Sequence, residues 1–392
     1  MKVEPQYMMN SRECTLAILN YQPADRLPLV HFGYWRETLH KWADEGHISQ
    51  TEARQWNDGN PVDLKMDTEL GFDFNWGATF TWITRLHPGL ETKTVEERPD
   101  GSSVFMNENG AFVIKKPGIM TIPTEIDHLL KGRKEWEDIY KPRLRFNPSR
   151  INEALVIGGE EVKRFDAGGC ESLIHEAPQR PLGLYCGSLL GVIRDWLGLV
   201  GMSYLLFDDE PLFDEMVETV ADLCYQGVQA VLESGVRFDY GHFWEDICYK
   251  GGPLINPEIY ASKIGPHYRR ITGLLCRHKT EIISLDCDGK IDLLIPIWLE
   301  NGVNTMFPIE IGTWNASILP WREKYGRNLR GVGGVNKHVF GMDYSAIDEE
   351  IERIHPLVEL GGYIPCPDHR LPIEARWENV QYYCEKMRKV FG

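Results

Sequence analysis

Strand-like and helical segments alternate along the second half of the chain, and this alternation limits the fold more than any other feature. Six short apolar runs have the length of single strands: Leu182–Cys186, Arg237–His242, Glu281–Asp286, Thr305–Ile311, Leu329–Val335 and Gly362–Cys366. Longer runs with helical spacing, such as Leu212–Glu233 and Ile291–Asn301, lie between them. Strands that alternate with helices pair in parallel. Earlier runs at Leu29–Phe32 and Gly71–Trp76 bring the number of strands to eight, which predicts a closed (β/α)8 barrel.

The length and the turn residues are consistent with one elaborated barrel. The chain has 392 residues, and 43% of them are hydrophobic. A barrel needs ~250 residues and tolerates insertions, so we expect residues 1–392 to form one domain with an N-terminal helical extension. The dipeptides Asp100-Gly101 and Asn109-Gly110 are typical of hairpin turns and predict a β-hairpin excursion over residues 90–116. An open doubly wound sheet is the alternative, although no G-x-G-x-x-G motif of a dinucleotide fold follows any strand.

The charge and the cysteines exclude several classes of function. The formal net charge is −16, which disfavours binding to nucleic acids or to anionic membranes. No run approaches the ~18 apolar residues of a membrane span, and the N-terminus lacks the apolar region of a secretory signal. Nine cysteines are scattered without a C-x-x-C pair. We therefore expect a reduced cytoplasmic protein; the sequence leaves the oligomeric state open, with a homodimer as one alternative.

Polar and aromatic residues gather just past the predicted strand ends, which meet at one mouth of a parallel barrel. The expected mouth residues are His31, Tyr34, Trp35, Asp239, His242, Glu245, Asp246, Asp286, Cys287, Asp288, Glu310, Asn336, Lys337, Cys366, Asp368 and His369. Half-buried carboxylates cost several kcal/mol unless they are paired. Two explanations compete for them. One is a divalent metal bound by Asp286, Asp288 and His369, and the other is a network of carboxylates with arginines such as Arg330 and Arg370.

Two short segments carry most of the predicted chemistry. In Asp286-Cys287-Asp288 the aspartates occupy alternate positions of a strand, so both face one side and Cys287 faces the other. The alternative is an ordinary turn at Asp288-Gly289. His369 lies in a loop stiffened by two prolines, which either positions the imidazole for chemistry or merely connects the last strand to the last helix.

Several motifs resemble the uroporphyrinogen decarboxylase superfamily over nearly the whole chain. They are Ala24-Asp25-Arg26-Leu27-Pro28 after a short helix, Ile255-Asn256-Pro257-Glu258, Asp286-Cys287-Asp288-Gly289, Pro308-Ile309-Glu310, Gly361-Gly362-Tyr363-Ile364-Pro365 and Trp377-Glu378-Asn379-Val380. The arginine-rich segment with which true decarboxylases hold substrate carboxylates is absent. The corresponding place reads His31-Phe32-Gly33-Tyr34-Trp35-Arg36. The resemblance is therefore closer to the cobalamin-dependent methyltransferase branch.

That resemblance implies a zinc site and a corrinoid partner. The thiol-activating members bind zinc through His-x-Cys after the fifth strand and Cys after the eighth; here those places hold Asp286-x-Asp288 and His369. This harder ligand set suits oxygen chemistry at least as well as thiol chemistry. The chain lacks the D-x-H-x-x-G motif that binds corrinoids, so a partner protein would carry the cobalamin.

The leading hypothesis is therefore a methyltransferase that moves a methyl group between a small substrate and a partner-bound cobalamin. Asp246, Glu310 and His369 would act as catalytic groups, and His31, Tyr34, Trp35, Trp76, His242, Trp244, Glu245 and Asn336 would contact the substrate. The first alternative is a metal-free decarboxylase or lyase in which Asp246 or Asp288 handles a proton. The second is a barrel that binds a ligand without catalysis.

Overall fold

Short strands and surface helices alternate along residues 8–116, 123–158, 161–175 and 178–392, which are the residues that the computed structural model describes. The strands are β1 Val30–His31, β2 Phe74–Asn75, β3 Thr79–Phe80, β4 Lys93–Glu97, β5 Ser103–Met106, β6 Ala111–Lys115, β7 Thr124–His128, β8 Leu155–Gly158, β9 Glu161–Arg164, β10 Gly183–Gly187, β11 Tyr240–Trp244, β12 Cys248–Tyr249, β13 Gly252–Pro253, β14 Ile282–Asp286, β15 Thr305–Ile309, β16 Arg330–Val335 and β17 Tyr363–Pro367. The α-helices are α1 Ser11–Leu19, α2 Arg36–Asp44, α3 Gln50–Gln55, α4 Pro61–Leu70, α5 Arg133–Glu135, α6 Ser149–Asn152, α7 Cys170–His175, α8 Gly191–Asp208, α9 Glu210–Glu233, α10 Pro257–Lys263, α11 Gly265–Arg277, α12 Ile295–Glu300, α13 Ile311–Trp314, α14 Ile318–Tyr325, α15 Tyr344–Val358 and α16 Trp377–Phe391.

A large parallel sheet forms the centre of the molecule. Its order is β17-β16-β15-β14-β11-β10-β3, with every neighbouring pair parallel, and β1 pairs separately with β2, also in parallel. Each of the eight predicted runs overlaps one of these strands. β1 lies beside β17, and beyond the strand ends the Leu371 amide donates to the Gly33 carbonyl. Among the described residues no hydrogen-bonded ladder joins β17 to β1 or β2 to β3, so the parallel α/β sheet is confirmed and a closed barrel stays a prediction.

Side chains from five strands of the large sheet and from the β1–β2 pair meet in one apolar core, the inner core, so the strands curl around it. This core contains Val30, Phe32, Phe74, Trp76, Tyr240, Ile282, Phe307, Val332 and Ile364, which come from or directly follow seven different strands. Phe32 follows β1, yet its ring lies 4.5 Å from that of Phe307 on β15. Trp76, predicted to line the substrate pocket, is fully buried here, stacks on Tyr240 at 4.5 Å and donates to Ser284 Oγ. Its role is therefore packing.

Amphipathic helices cover the outer face of the sheet. The long helix α9 buries a stripe that includes Leu212, Met216 and Val220, in a second core with residues of α8 and α11. A third core joins α2, α4, α15 and α16 around Trp42 and Tyr383. None of the described helices is both long enough and apolar enough to span a bilayer.

The predicted hairpin excursion is larger than the sequence indicated. Strands β4 to β7 form a four-stranded antiparallel sheet in sequential order. Gly101 and Gly110 adopt positive φ angles of 79° and 84° at its first two turns, as expected for hairpin glycines. Residues 90–116 supply three of the strands and Thr124–His128 adds the fourth. A separate antiparallel pair, β8 and β9, follows.

Candidate active site

The alternation of side chains along β11 and β14 decides which predicted residues face the concave side of the sheet. Tyr240 and Ile282 both belong to the inner core, so His242, Trp244, Ser284 and Asp286 share their face. The prediction that Cys287 faces away from the aspartates is confirmed. Its thiol is buried in the second core, beneath the helices on the outer face of the sheet, and accepts a hydrogen bond from the Ile247 amide.

Asp288 and His369 meet although 81 residues separate them in the sequence. His369 Nε2 lies 3.0 Å from Asp288 Oδ2, while His369 Nδ1 accepts from the Arg370 amide at 2.8 Å. Because Nδ1 accepts this hydrogen bond from the Arg370 amide, Nε2 is the nitrogen that carries the proton when the ring is neutral. Trp35 stacks on the imidazole at 5.2 Å, and Phe32 lies 5.5 Å from it. Two of the three predicted metal ligands, Asp288 and His369, are therefore in contact.

Three further carboxyl groups surround this pair, and we call Asp246, Asp286, Asp288 and Glu310 the acidic edge. Burial raises the pKa of Asp286 far above its usual range, and Asp288 and Asp246 act in the same direction. Burial likewise raises the pKa of Glu310, and Asp288 adds to the effect. Glu310 accepts from the Gly289 amide at 2.5 Å and from Thr313 Oγ1 at 2.8 Å. Crowding and desolvation thus favour protons or a cation at this edge.

Asp246 is held by an unusual backbone conformation at the end of β11. Its φ is +42°, a region that aspartate tolerates better than most residues. Arg194 Nη2 lies 3.5 Å from its carboxylate and 2.7 Å from that of Asp195. Burial raises the pKa of Asp246, while Arg194 opposes this and Asp288 reinforces it. Asp246 therefore lies between the positive charge of Arg194 and the negative charge of Asp288.

Glu245, predicted to contact substrate, has a structural role instead. It is fully buried and faces away from the concave side, as its position next to Trp244 requires. Its carboxylate accepts from the amides of Leu189, Leu190 and Gly191 at 2.7, 2.9 and 2.6 Å. The hydroxyls of Ser188 and Tyr268 donate to it as well. Glu245 therefore joins the end of β11 to the first turn of α8, which carries Arg194.

His31 and Tyr34 also lie outside the predicted mouth. The neighbours of His31, Val30 and Phe32, point into the inner core, so His31 points outward to α4 and is fully buried. Its Nε2 lies 2.6 Å from Asp67 Oδ1. Tyr34 is buried in the third core, with its ring edge-on to that of Trp42. Both residues pack the helical layer and do not reach a substrate at the acidic edge.

The remaining predicted contacts divide between the concave face and the loops. Trp244 is half-buried on the concave face, beside Asp286 in the register of β11 and β14. His242 Nδ1 lies 3.2 Å from Ser284 Oγ on the same face. Asn336 caps the turn after β16, where its Oδ1 accepts from the His338 amide at 3.1 Å. Trp244 and His242 thus stay candidates for substrate contact, and Asn336 has a local structural role.

His242 gives the fold a specific pH dependence. Burial lowers its pKa to about 4, against about 6.5 when unfolded. The native state therefore resists protonation of this ring, and stability falls as the pH drops from 6.5 towards 4. For His242→Gln, which keeps a hydrogen-bonding group but does not titrate, we expect the loss of stability between pH 7 and pH 5 to be about 2 kcal/mol smaller than in the wild type. Urea unfolding at both pH values measures this, and equal losses would contradict it.

The described residues contain one His/Asp/Asp group whose potential ligand atoms all lie within 4.8 Å of one another, and it is not the predicted one. It comprises His31, Asp63 and Asp67. Most of its atoms already have partners, since His31 Nδ1 accepts from the Gly33 amide and Asp63 accepts from Trp56 Nε1 at 2.7 Å, but Asp67 Oδ2 is buried without a hydrogen-bond partner. This group is close enough for a metal, but its hydrogen bonds describe a buried polar network that fixes α4 on β1.

The sequence named Arg370 as a possible partner of carboxylates, but sequence reasoning missed Asp58 as that partner and missed Tyr185. Arg370 forms a two-pronged ion pair with Asp58, with Nη1–Oδ1 and Nη2–Oδ2 distances of 3.0 and 2.6 Å. The two residues are 312 positions apart, and no local pattern signals such a pair. Tyr185 is the register partner of His242, and alternation along β10 was the signal that it shares the concave face.

Comparison with known proteins supports the fold and leaves the family open. No protein-family model matches the sequence, and neither does any curated protein. Among solved structures, a methyltransferase from Methanosarcina mazei superposes with a TM-score of 0.62 over 97% of this chain and 99% of its own, at 13% identity. A protein described as a vitamin-B12 independent methionine synthase from Listeria monocytogenes gives a TM-score of 0.41 at 13% identity, with 93% and 97% coverage. The chain shares the fold of the first.

Proposed function

We propose that this protein is an enzyme that transfers a methyl group at the acidic edge, between a small substrate and a cobalamin carried by a corrinoid protein. The observation that carries the proposal is the contact between His369 and Asp288. It joins two loops at the carboxyl side of the sheet, where enzymes of this architecture place their chemistry. The similarity in fold to the Methanosarcina mazei methyltransferase, over nearly the full length of both chains, supports the class of reaction.

The roles of the residues follow from their contacts. Asp288 Oδ2 accepts the Nε2 proton of His369, so the imidazole positions this carboxylate and stabilises its charge. Asp288 Oδ1, which is buried without a hydrogen-bond partner, would accept the proton that the substrate heteroatom loses. Asp246 and Glu310, whose pKa values are raised, supply or accept a second proton. Trp35 and Trp244 form aromatic walls. A methylated corrinoid, when bound, would supply the methyl group that the substrate heteroatom accepts.

The predicted zinc ion, with Asp286, Asp288 and His369 as ligands, remains a prediction. The charge of the three groups suits a divalent cation, and Asp288 Oδ1 is buried without a hydrogen-bond partner. Their ligand atoms do not all lie within 4.8 Å of one another, in contrast to the His31 group. The residues therefore do not form a preassembled tetrahedral set, and no catalytic step needs the metal.

Incubation with methylcobalamin tests the proposal directly. We expect loss of the methyl–cobalt absorbance when the protein is mixed with methylcobalamin and a panel of small thiols, alcohols and amines as acceptors. Asp288→Asn should slow the reaction at least about 10-fold, since the imidazole loses its charged partner. A wild-type protein that leaves methylcobalamin unchanged with every acceptor, and also in the presence of corrinoid proteins, would refute the proposal.

A decarboxylase or lyase is the second candidate, favoured by the raised pKa of Asp246. A protonated carboxyl at the acidic edge suits delivery of a proton to a carbanion after loss of CO2. Release of CO2 from small carboxylic acids, without any change in methylcobalamin, would favour this candidate. Binding of such compounds without turnover would instead identify a ligand-binding barrel.

A further inference from the structure

We propose that the acidic edge binds a small organic cation of the methylated ammonium class, with its charge beside Asp286 and Asp288. This inference rests on the proposed function and names the substrate class for it. An alkylammonium group carries both the positive charge that the carboxylates lack and the methyl groups that a methyltransferase moves.

The arginines near the acidic edge are already engaged by other carboxylates. Arg370 is paired in two-pronged geometry with Asp58, and Arg194 is held by Asp195 at 2.7 Å. Among the described residues, no lysine or arginine nitrogen comes within 4.0 Å of a carboxylate oxygen of Asp286, Asp288 or Glu310. The nearest basic side chain is the imidazole of His369, 3.0 Å from Asp288, and Arg370 acts on Asp286 only without a direct ion pair. The edge is therefore short of positive charge.

Asp286 is the clearest sign that a ligand completes the site. Its residue exposure is 9%, and none of the hydrogen bonds among the described residues ends on its carboxylate. Asp288 Oδ1, at the same edge, is buried without a hydrogen-bond partner. Asp286 follows Ile282 and Ser284 on the concave face, so it points into the curled sheet. A second group on that face, His242, is only 4% exposed and uses Nδ1 towards Ser284, while its Nε2 has no protein partner. Buried polar groups left without partners mark a place where a ligand's polar group belongs.

Aromatic residues occupy the register positions on both sides of Asp286. In the sheet register Asp286 pairs with Trp244 on β11 and with Phe307 on β15. Phe307 packs in turn against Phe32, whose ring lies 5.5 Å from His369. A carboxylate between aromatic faces is the arrangement that holds alkylammonium groups, because the rings attract the diffuse charge and tolerate its methyl surface. A bare metal ion gains nothing from such rings.

The spacing of the acidic edge also favours an organic cation over a metal. A metal needs its ligands at ~2.0–2.2 Å, which places ligand atoms close together. No three potential ligands of the acidic edge, taken from the described residues, lie within 4.8 Å of one another. An alkylammonium group is wider, and it interacts with carboxylates across its methyl surface without direct coordination.

Calorimetric titration with choline, matched to its neutral isostere 3,3-dimethyl-1-butanol, tests the inference. The two probes have the same shape and differ in charge. We expect choline to bind at least about 10-fold more tightly, and Asp286→Asn to weaken choline binding about 10-fold without affecting the alcohol. Trp244→Leu should weaken choline binding about 10-fold as well. Glu281→Gln is the matched control, because Glu281 is exposed beside the opposite end of β14, and it should leave binding unchanged.

Three results would overturn the inference. They are equal binding of both probes, choline binding that survives Asp286→Asn and Trp244→Leu in variants with wild-type circular dichroism, and about one equivalent of protein-bound zinc that Asp286→Asn removes. The last result would identify a metal site. The titration is independent of turnover, so choline binding without methylcobalamin consumption would retain the cation site and reject the proposed function. Methyl transfer without choline binding would reject the cation site and retain the proposed function.

Discussion

Replacement of His369 by alanine is expected to reduce methyl transfer by ~100-fold or more and to leave the melting temperature nearly unchanged. The imidazole contacts Asp288 and Trp35 in a loop beyond β17, and it contributes to none of the three cores. Loop substitutions of this kind usually change stability by about 0.5 kcal/mol or less. A side chain that holds or transfers a proton in the transition state, in contrast, commonly contributes about 10²–10⁴-fold to a rate.

Methylcobalamin absorbance and thermal unfolding, recorded on the same preparations, measure both quantities. His278→Ala is the control, since His278 is exposed at the end of α11, and it should match the wild type in both assays. If His369 merely packs in its loop, the variant should unfold at a lower temperature and keep its turnover. That outcome would assign a structural role to His369 and would remove the main support for the proposed function.

The elements that could be predicted from the sequence are those with a strong local signal. Each of the eight strands follows from a short apolar run bounded by turn residues, and the two aspartates of β14 were placed on one face by simple alternation. The hairpin turns at Gly101 and Gly110 could likewise be predicted from their local sequence. What the sequence could not give is the pairing of the sheet's outermost strands. Closure depends on how the whole sheet curls, and no single segment encodes that.

The errors in the site have a common physical cause. Glu245 and His31 were assigned to the mouth because they lie near strand ends, but alternation places each on the outer face. The signal was present, since Glu245 has the parity of Phe243 and His31 lies between two inward residues. The pairing of Asp58 with Arg370, in contrast, depends on how distant loops meet and has no counterpart in local spacing.

Glu245→Ala is expected to lower the free energy of unfolding by about 3–5 kcal/mol, which is the largest effect on stability that we predict. The carboxylate is fully buried and accepts from three consecutive backbone amides and two hydroxyls. Alanine leaves these donors without an acceptor in a site closed to water, and each buried unsatisfied donor costs about 1–3 kcal/mol before relaxation. Removal of one member of a buried network costs about 3–5 kcal/mol in comparable cases.

Guanidinium unfolding of the wild type and of Glu245→Ala measures this difference, with Glu258→Ala as the matched control. Glu258 is exposed on α10, so its removal should change stability by about 0.5 kcal/mol or less. Because Glu245 joins β11 to the first turn of α8, its loss should also free Arg194 from its position beside Asp246. Turnover measured below the melting transition should therefore fall as well. The part of the pH profile of turnover that reports the titration of Asp246 should shift, because Arg194 no longer opposes the rise in its pKa. A variant as stable as the Glu258→Ala control would show that water or a neighbouring group satisfies the five donors, and that Glu245 does not hold the two elements together.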